Sequence, residues 1–183
     1  RVLPEYAMVL ATSGEDREQA LRIAPQANVT VYPNAYPWTE RTSVPPDPGT
    51  VVFSGNFEYH PNIDGVRYLM REIWPLVVRQ APEAKLLLVG KGPEFVRHLV
   101  EGVDGVEMTG PVEDAVAHIA RGAVVIAPLR TGSGTRLKIL EAWAAGVPVV
   151  SSRIGAEGLG AVDGKHLILA DSAPEFAQAV SRL

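Results

Sequence analysis

The chain has 183 residues, a length that predicts one domain, or one domain with appendages. Its 17 basic and 21 acidic residues give a formal net charge of −4, so no basic surface is available to hold a nucleic-acid backbone, and we expect no nucleic-acid partner. Cysteine is absent, which excludes disulfide scaffolds, thiolate metal sites and cysteine nucleophiles. The hydrophobic content of 46% predicts a sizeable buried core.

Residues 1–34 predict one strand–helix–strand unit. Strand patterns cover residues 6–12 and 29–32, and Ser13-Gly14-Glu15-Asp16 between them is typical of a helix start. Five prolines then follow between residues 33 and 48, where proline can continue neither a helix nor a central strand, so we predict a linker over 35–49. Because the chain starts at arginine and its last helical pattern ends without a cap, we expect a fragment of a longer protein.

From residue 50 onward, short β-rich runs alternate with helical patterns. Continuous apolar runs such as Leu86-Leu87-Leu88-Val89 are typical of strands that are covered on both faces. The predicted strands are 50–54, 85–89, 106–109, 123–127, 147–151 and 166–169, and the predicted helices are 63–80, 94–101, 112–121, 135–145 and 174–183. This order predicts an α/β fold with a Rossmann-like, doubly wound parallel sheet.

The segment Thr131-Gly132-Ser133-Gly134-Thr135-Arg136-Leu137-Lys138 directly follows a buried strand and leads into a helix. Its glycines allow close backbone approach, and the free N–H groups of a helix start attract anions. Two cations in the first helical turn oppose the helix dipole unless an anion binds there, so we predict a phosphate or diphosphate site. The alternative is a plain glycine-rich turn, capped by Thr135, with Arg136 and Lys138 in solvent.

Glu141 lies two turns along the same predicted helix, and it is followed by Ala142-Trp143-Ala144-Ala145 and by the Gly146-Val147-Pro148 strand start. An acidic residue is seldom buried without a partner. At this distance from the loop, the carboxylate could accept hydrogen bonds from a ribose diol. Taken alone, Glu141 is better explained as a residue of a solvated helix surface.

Residues 134–150, GTRLKILEAWAAGVPVV, strongly resemble the donor-site signature of GT-B glycosyltransferases of family 4, also called group 1. Phe53-Ser54-Gly55-Asn56 is similar to the first strand and turn of the C-terminal, nucleotide-sugar-binding domain of that family. The second and third strand turns and Ile154-Gly155-Ala156-Glu157-Gly158-Leu159 match in the same order, so the resemblance covers about residues 29–183. It implies that residues 1–34 are the remnant of an N-terminal, acceptor-side domain and that 50–183 form the donor domain.

The resemblance implies particular donor-binding residues. These are Gly55, Asn56, Gly132, Ser133, Gly134, Thr135, Arg136, Lys138 and Glu141, with base or sugar contacts expected at His60, Pro111 and Val112. Glu141 matches the second glutamate of the family's Glu-x7-Glu motif, whereas Ser133 stands in place of the first. The Arg and Lys that many members carry after the first strand are replaced by Asn56 and Asn62, and we expect Arg136 and Lys138 to restore the positive charge.

The resemblance further implies a retaining hexosyltransferase that uses a nucleoside-diphosphate sugar for glycan or polysaccharide synthesis, without cofactor or metal. We expect the acceptor side and any catalytic group there to lie in the missing N-terminal domain, so that this chain alone binds donor without turnover. The expected location is cytoplasmic, at most peripheral to the inner face of a membrane, with membrane contact only through the missing half. No apolar run reaches the roughly 18 residues of a membrane span, and no signal-peptide pattern is present.

Two other functions remain open from the sequence. One is a nucleotide-sugar epimerase of the same fold, which needs acid–base groups around the sugar and is disfavoured by Ser133. The other is a non-catalytic nucleotide-binding or docking domain, which would have no need of the motif that joins Gly134 to Glu141.

Overall fold

A six-stranded parallel sheet forms the centre of the structure, a computed structural model that describes residues 2–37, 45–132 and 134–183. Its strands are β3 (Thr50–Ser54), β4 (Lys85–Val89), β5 (Val106–Met108), β6 (Val124–Ala127), β7 (Val149–Ser151) and β8 (Ile168–Leu169). They lie in the order β5-β4-β3-β6-β7-β8 with every neighbouring pair parallel. This is the strand order of the doubly wound dinucleotide-binding folds.

The strands form here because their sequences are apolar on consecutive positions, which suits a sheet that is covered on both faces. Every residue of β3, β6 and β7 is buried. Phe53, Leu86 and Leu88 point into one core cluster, while Val52, Leu87 and Val125 point into a second cluster on the opposite face. The prediction of an α/β, Rossmann-like doubly wound sheet is therefore confirmed.

Helices cover both faces of this sheet. They are α2 (His60–Tyr68), which continues through a π-helical stretch (Leu69–Ile73) into α3 (Trp74–Gln80), then α4 (Arg97–Val100), α5 (Ala115–Ile119), α6 (Leu137–Ala144) and α7 (Ala173–Val180). Among the described residues, none of the helices has the length and apolar character needed to span a membrane.

A second, two-stranded parallel sheet is formed by β1 (Val9–Ala11) and β2 (Val29–Val31), with α1 (Gly14–Ile23) between them. Ser13 caps α1 by accepting a hydrogen bond from the Asp16 amide at 3.0 Å. The helix covers one face, where Ala11 and Val29 are buried. The predicted linker over 35–49 falls partly on residues 38–44, which lie outside the described residues.

Several predicted helix boundaries differ from the structure, including those of α5, which spans Ala115–Ile119 instead of 112–121, and of α7, which ends at Val180 instead of residue 183. The helix predicted to start at residue 63 starts at His60, because Pro61 fits the first turn, where no amide donor is needed. The helix predicted over 94–101 is broken at Val96, whose φ of −121° separates a 3-10 turn (Pro93–Phe95) from α4. The helix predicted to start at residue 135 begins at Leu137, so that Arg136 occupies its N-cap position.

Candidate functional site

The strand order reverses between β3 and β6, and in open α/β sheets a crevice forms at such a point, beyond the carboxyl ends of the strands. A cavity of about 330 Å³ lies there. One wall comes from the turn after β3 and the start of α2, and the other comes from the loop after β6 and the start of α6. The lining residues are Gly55, Asn56, Tyr59, Pro61, Asn62, Leu129, Thr135, Arg136, Leu137, Lys138 and Glu141.

Asn62 fixes the first wall. It is buried, at 7% exposure, and its Nδ2 donates to the Asn56 carbonyl oxygen at 2.7 Å. Gly55 has a φ of +158°, and the neighbouring turn of β4 packs so closely that a Cβ atom on Gly90 would collide with the Gly55 carbonyl oxygen. The turn after β3 is therefore fixed by the Asn62 hydrogen bond on one side and by the turn after β4 on the other.

The loop after β6 forms the second wall. Ser152 donates from Oγ to the Leu129 carbonyl oxygen at 2.5 Å, which fixes the loop where the strand ends. Gly132 and Gly134 adopt φ values of +116° and +80°, which L side chains rarely adopt, and this explains the glycines of the motif. Ser133 lies outside the described residues.

Arg136 is buried, with 5% exposure, although the sequence left open a solvated side chain. Its guanidinium donates to the Ile154 carbonyl oxygen from Nε at 3.4 Å and from Nη2 at 3.3 Å, so it ties the loop to the segment after β7. Thr135 does not cap α6, and its buried Oγ1 has no hydrogen-bond partner among the described residues. The alternative of a Thr135-capped turn with solvated cations is therefore wrong.

Lys138 is also buried, with 8% exposure, and is directed across the cavity. Its Nζ donates to Asn62 Oδ1 at 2.7 Å and lies 4.2 Å from the centre of the Phe53 ring. The pKa of this amine is lowered to about 7, chiefly because the side chain is buried; the charge of the nearby Arg136 contributes to the shift, and Glu141 opposes it. Among the described residues, no carboxylate lies within ion-pair distance of Lys138.

Glu141 lies one turn after Lys138 on α6 and lines the same cavity. It is half-buried, and burial raises the pKa of its carboxyl group while Lys138 opposes the rise. The cavity thus holds buried positive charge on one side and a single partly desolvated carboxylate beside it, among the described residues that line it.

The structure brings together six of the predicted donor-site residues. Gly55, Asn56, Thr135, Arg136, Lys138 and Glu141 line the cavity. Gly132 lies against Pro61, and Gly134 faces a small crevice beside Ser13 and Gly158. His60, Pro111 and Val112 are not among the lining residues: His60 is exposed at the start of α2, and Val112 packs against one core cluster.

Sequence reasoning did not propose Tyr59, Pro61, Asn62, Leu129 and Leu137 as site residues. The sequence did contain an indication for Asn62, because it occupies a position where many members of the family that the chain resembles carry a lysine. No group of three or more His, Asp or Glu side chains that could hold a metal ion occurs in the described part of the chain.

Comparison with known proteins places the chain in a family context. The family model described as "Glycosyl transferases group 1" matches residues 48–183. A Klebsiella pneumoniae protein, described as an uncharacterized 44.6 kDa protein in the cps region, is 29% identical over 136 residues, 70% of this chain and 35% of its own length. An exopolysaccharide phosphotransferase of Streptomyces coelicolor is 34% identical over 117 residues, 56% of this chain and 12% of its own length.

Solved structures share the fold over nearly the whole chain. A variant of S. aureus TarM, in complex with fondaparinux, α-GlcNAc-glycerol and UDP, has a TM-score of 0.82 and 18% identity, over 100% of this chain and 38% of its own. Thermosynechococcus elongatus sucrose-phosphate synthase has a TM-score of 0.77 and 22% identity, over 99% of this chain and 50% of its own. Anabaena HepE, in complex with UDP-glucose, has a TM-score of 0.76 and 16% identity, over 96% of this chain and 53% of its own. The chain thus spans half or less of most of these proteins.

Proposed function

The chain belongs to the group 1 glycosyltransferases, and from this premise we propose that the cavity binds a nucleoside-diphosphate sugar, whose hexosyl group the enzyme transfers in glycan or polysaccharide synthesis. The proposal names this chain as the donor-binding, C-terminal half of a family 4 enzyme. The bound UDP and UDP-glucose of TarM and HepE support a uridine nucleotide as the first donor to test.

The observation that carries the proposal is the burial of Lys138. A buried ammonium group is costly unless a partner compensates it, and the hydrogen bond to Asn62 is neutral. Lys138 also lies in the first turn of α6, where the helix dipole disfavours a cation. Both costs are offset when an anion enters the cavity, so the site is suited to a diphosphate.

This geometry also supports the expected charge compensation. The resemblance expects a lysine at the position of Asn62, on α2. Here the Lys138 amine reaches Asn62 Oδ1 from α6, so the positive charge arrives at the same place from the opposite wall. Arg136, in contrast, uses its guanidinium to hold Ile154, and we assign it to shaping the loop as well as to attracting the anion.

The proposed chemistry follows from these positions. As the glycosidic bond breaks, charge gathers on the diphosphate leaving group, where amides of residues 134–136 and Lys138 would stabilise it without a metal or cofactor. Glu141 would hold the ribose hydroxyls, and Gly132 with Ser133 would line the sugar end. We infer a retaining outcome from the family resemblance.

The remaining parts of the proposal concern the rest of the protein. Residues 1–34 would be the remnant of the acceptor-side domain, 35–49 the linker and 50–183 the donor domain. The face of the two-stranded sheet opposite α1 supports this, because Met8 and Leu10 are 54% and 60% exposed. We propose that the missing N-terminal domain is the partner, that this chain alone does not turn over, and that the enzyme is cytoplasmic, with any contact to the inner membrane face made by that domain.

Calorimetric titration with UDP, GDP and ADP tests the proposal. One diphosphate should bind, and Glu141→Ala should weaken it, whereas Glu101→Ala, which removes an exposed carboxylate at the end of α4, should not. Absence of binding by all three, in this chain and in a protein joined to its acceptor-side domain, would refute donor binding and favour a docking domain. Arg136→Ala with an unchanged Kd for the bound diphosphate would refute the part assigned to that cation.

A further inference from the structure

The two walls of the cavity are in close contact at Gly132, which is not among the residues that line the cavity. Gly132, in the loop after β6, lies against the first turn of α2, so that a Cβ atom placed on it would be 3.2 Å from Pro61 Cγ. A small relative movement of the loop would therefore change the shape of the cavity.

An ion pair joins these walls just behind the contact. Arg130, the residue before the Thr131–Thr135 motif, donates from Nη2 to Asp64 Oδ1 at 2.7 Å and from Nε to Asp64 Oδ2 at 3.1 Å. Two parallel hydrogen bonds fix orientation as well as distance. The Asp64 side chain is only 14% exposed, and the guanidinium carbon lies 4.7 Å from the centre of the Tyr68 ring.

The pair is ionised over the ordinary pH range. The Arg130 guanidinium, by its hydrogen bond and its charge, holds the pKa of the Asp64 carboxyl below its usual value. Neither residue lines the cavity, so neither is expected to touch the ligand. Arg67 lies 3.9 Å from Asp64, so that removal of Arg130 would not leave the carboxylate without a nearby cation.

We propose that Arg130 and Asp64 are positioning residues that hold the described loop residues, 129–132 and 134–136, against α2 in the conformation that binds the donor diphosphate. The inference rests on the proposed function for its ligand, but its structural part concerns the loop alone. A loop that is already ordered loses less conformational freedom when the ligand binds.

The direction in which Asp64→Asn changes the affinity for UDP separates this positioning role from long-range electrostatics. Asp64→Asn removes a negative charge near an anion site, so long-range attraction alone predicts tighter diphosphate binding. Loss of the bidentate pair predicts the opposite, a Kd for UDP raised about fivefold, the size expected for a well-formed, partly buried ion pair. Arg130→Lys keeps the charge but not the paired geometry, and it should weaken UDP binding as Arg130→Gln does.

The experiment is a double-mutant cycle on UDP affinity with Asp64→Asn and Arg130→Gln. The double variant should bind UDP no more weakly than either single variant, because both remove the same pair. Arg121→Gln is the matched control, because its pair with Asp47, at 3.5 Å, lies at the amino ends of β3 and β6, whereas the cavity lies beyond the carboxyl ends of these strands. Tighter binding by Asp64→Asn, or additive losses in the double variant, would overturn the proposal.

Hydrogen–deuterium exchange without ligand decides the structural part independently of nucleotide binding. The Leu137 and Ile139 amides donate to the Thr135 and Arg136 carbonyl oxygens at 3.1 and 2.9 Å, so they report on the end of the loop. Both substitutions in the pair should speed their exchange several-fold, while the β3 and β6 amides stay protected. Unchanged exchange would overturn the proposal. If exchange is faster but every variant binds nucleotide as the wild type does, the pair orders the loop, and only its proposed effect on diphosphate binding is overturned. If wild-type protein binds no nucleotide, the proposed function fails and the exchange result still judges the positioning role.

Discussion

Diphosphate binding should draw a proton onto Lys138. The pKa of its amine is about 7 in the described structure, chiefly because the side chain is buried. At pH 7 about half of the molecules therefore carry a neutral amine. A bound diphosphate places negative charge beside the amine and raises its pKa, so that the complex holds the protonated form.

The magnitude follows from linkage between proton and ligand. If the charged form binds, about 0.5 proton is taken up per bound nucleotide at pH 7, and the affinity falls about fivefold from pH 7 to pH 8 as the charged fraction declines. Above pH 8, each further pH unit costs about a factor of ten until the pKa of the complex is reached.

Calorimetry of UDP binding at pH 7, in buffers with different ionisation enthalpies, measures this proton uptake directly. Lys138→Met is the control, because it keeps the length of the side chain and removes the titrating group. Proton uptake that persists in Lys138→Met would come from another group or from the nucleotide. That result, or a wild-type binding enthalpy independent of the buffer, would refute the assignment of Lys138 as the cation that meets the diphosphate.

Three further predictions concern stability and recognition. Folding lowers the pKa of Lys138 from 10.5 to about 7, so between these pH values the unfolded state binds more protons than the folded state. The free energy of unfolding, measured in urea, should therefore rise with pH in this range by on the order of 1 kcal/mol per pH unit, relative to Lys138→Met. Glu141→Ala should weaken UDP about tenfold in calorimetry and inorganic pyrophosphate much less, since the lost hydrogen bonds go to the ribose; equal losses for both would contradict this role. Gly90→Ala should lower the unfolding free energy by about 3 kcal/mol through collision with Gly55, whereas Gly102→Ala, with an open surrounding, should cost only about 1 kcal/mol of backbone strain; similar losses at both positions would refute the collision.

The sheet was predictable because each strand carries its own signal. A run such as residues 86–89 is apolar at every position, which is typical of a strand with helices on both faces, and its short length favours a strand over a buried helix. The strand order is not written in any one segment. It follows from the repeated βα units and the right-handed crossovers, which leave few arrangements open.

The candidate site was predictable only in part, because its contacts join distant segments. The motif identified Arg136 and Lys138 as cations near a helix start, but it could not show that both are buried. Their partners lie in distant segments: Lys138 donates to Asn62, 76 positions earlier in the chain, and Arg136 donates to the Ile154 carbonyl oxygen. The pair of Arg130 with Asp64 spans 66 positions and has no local pattern at all.

The two charge arrangements at this edge of the sheet act in opposite ways, and the difference indicates which one serves a ligand. Arg130 and Asp64 form two hydrogen bonds with each other, so both charges are already compensated within the folded structure. Among the described residues, Lys138 contacts the Asn62 oxygen and the Phe53 ring but no carboxylate, and its lowered pKa indicates that the folded protein disfavours its charge. A residue that destabilises the fold yet lines a cavity is better explained by what binds there than by folding. We therefore propose that the ion pair positions the loop and that the Lys138 amine is the group that meets the anion.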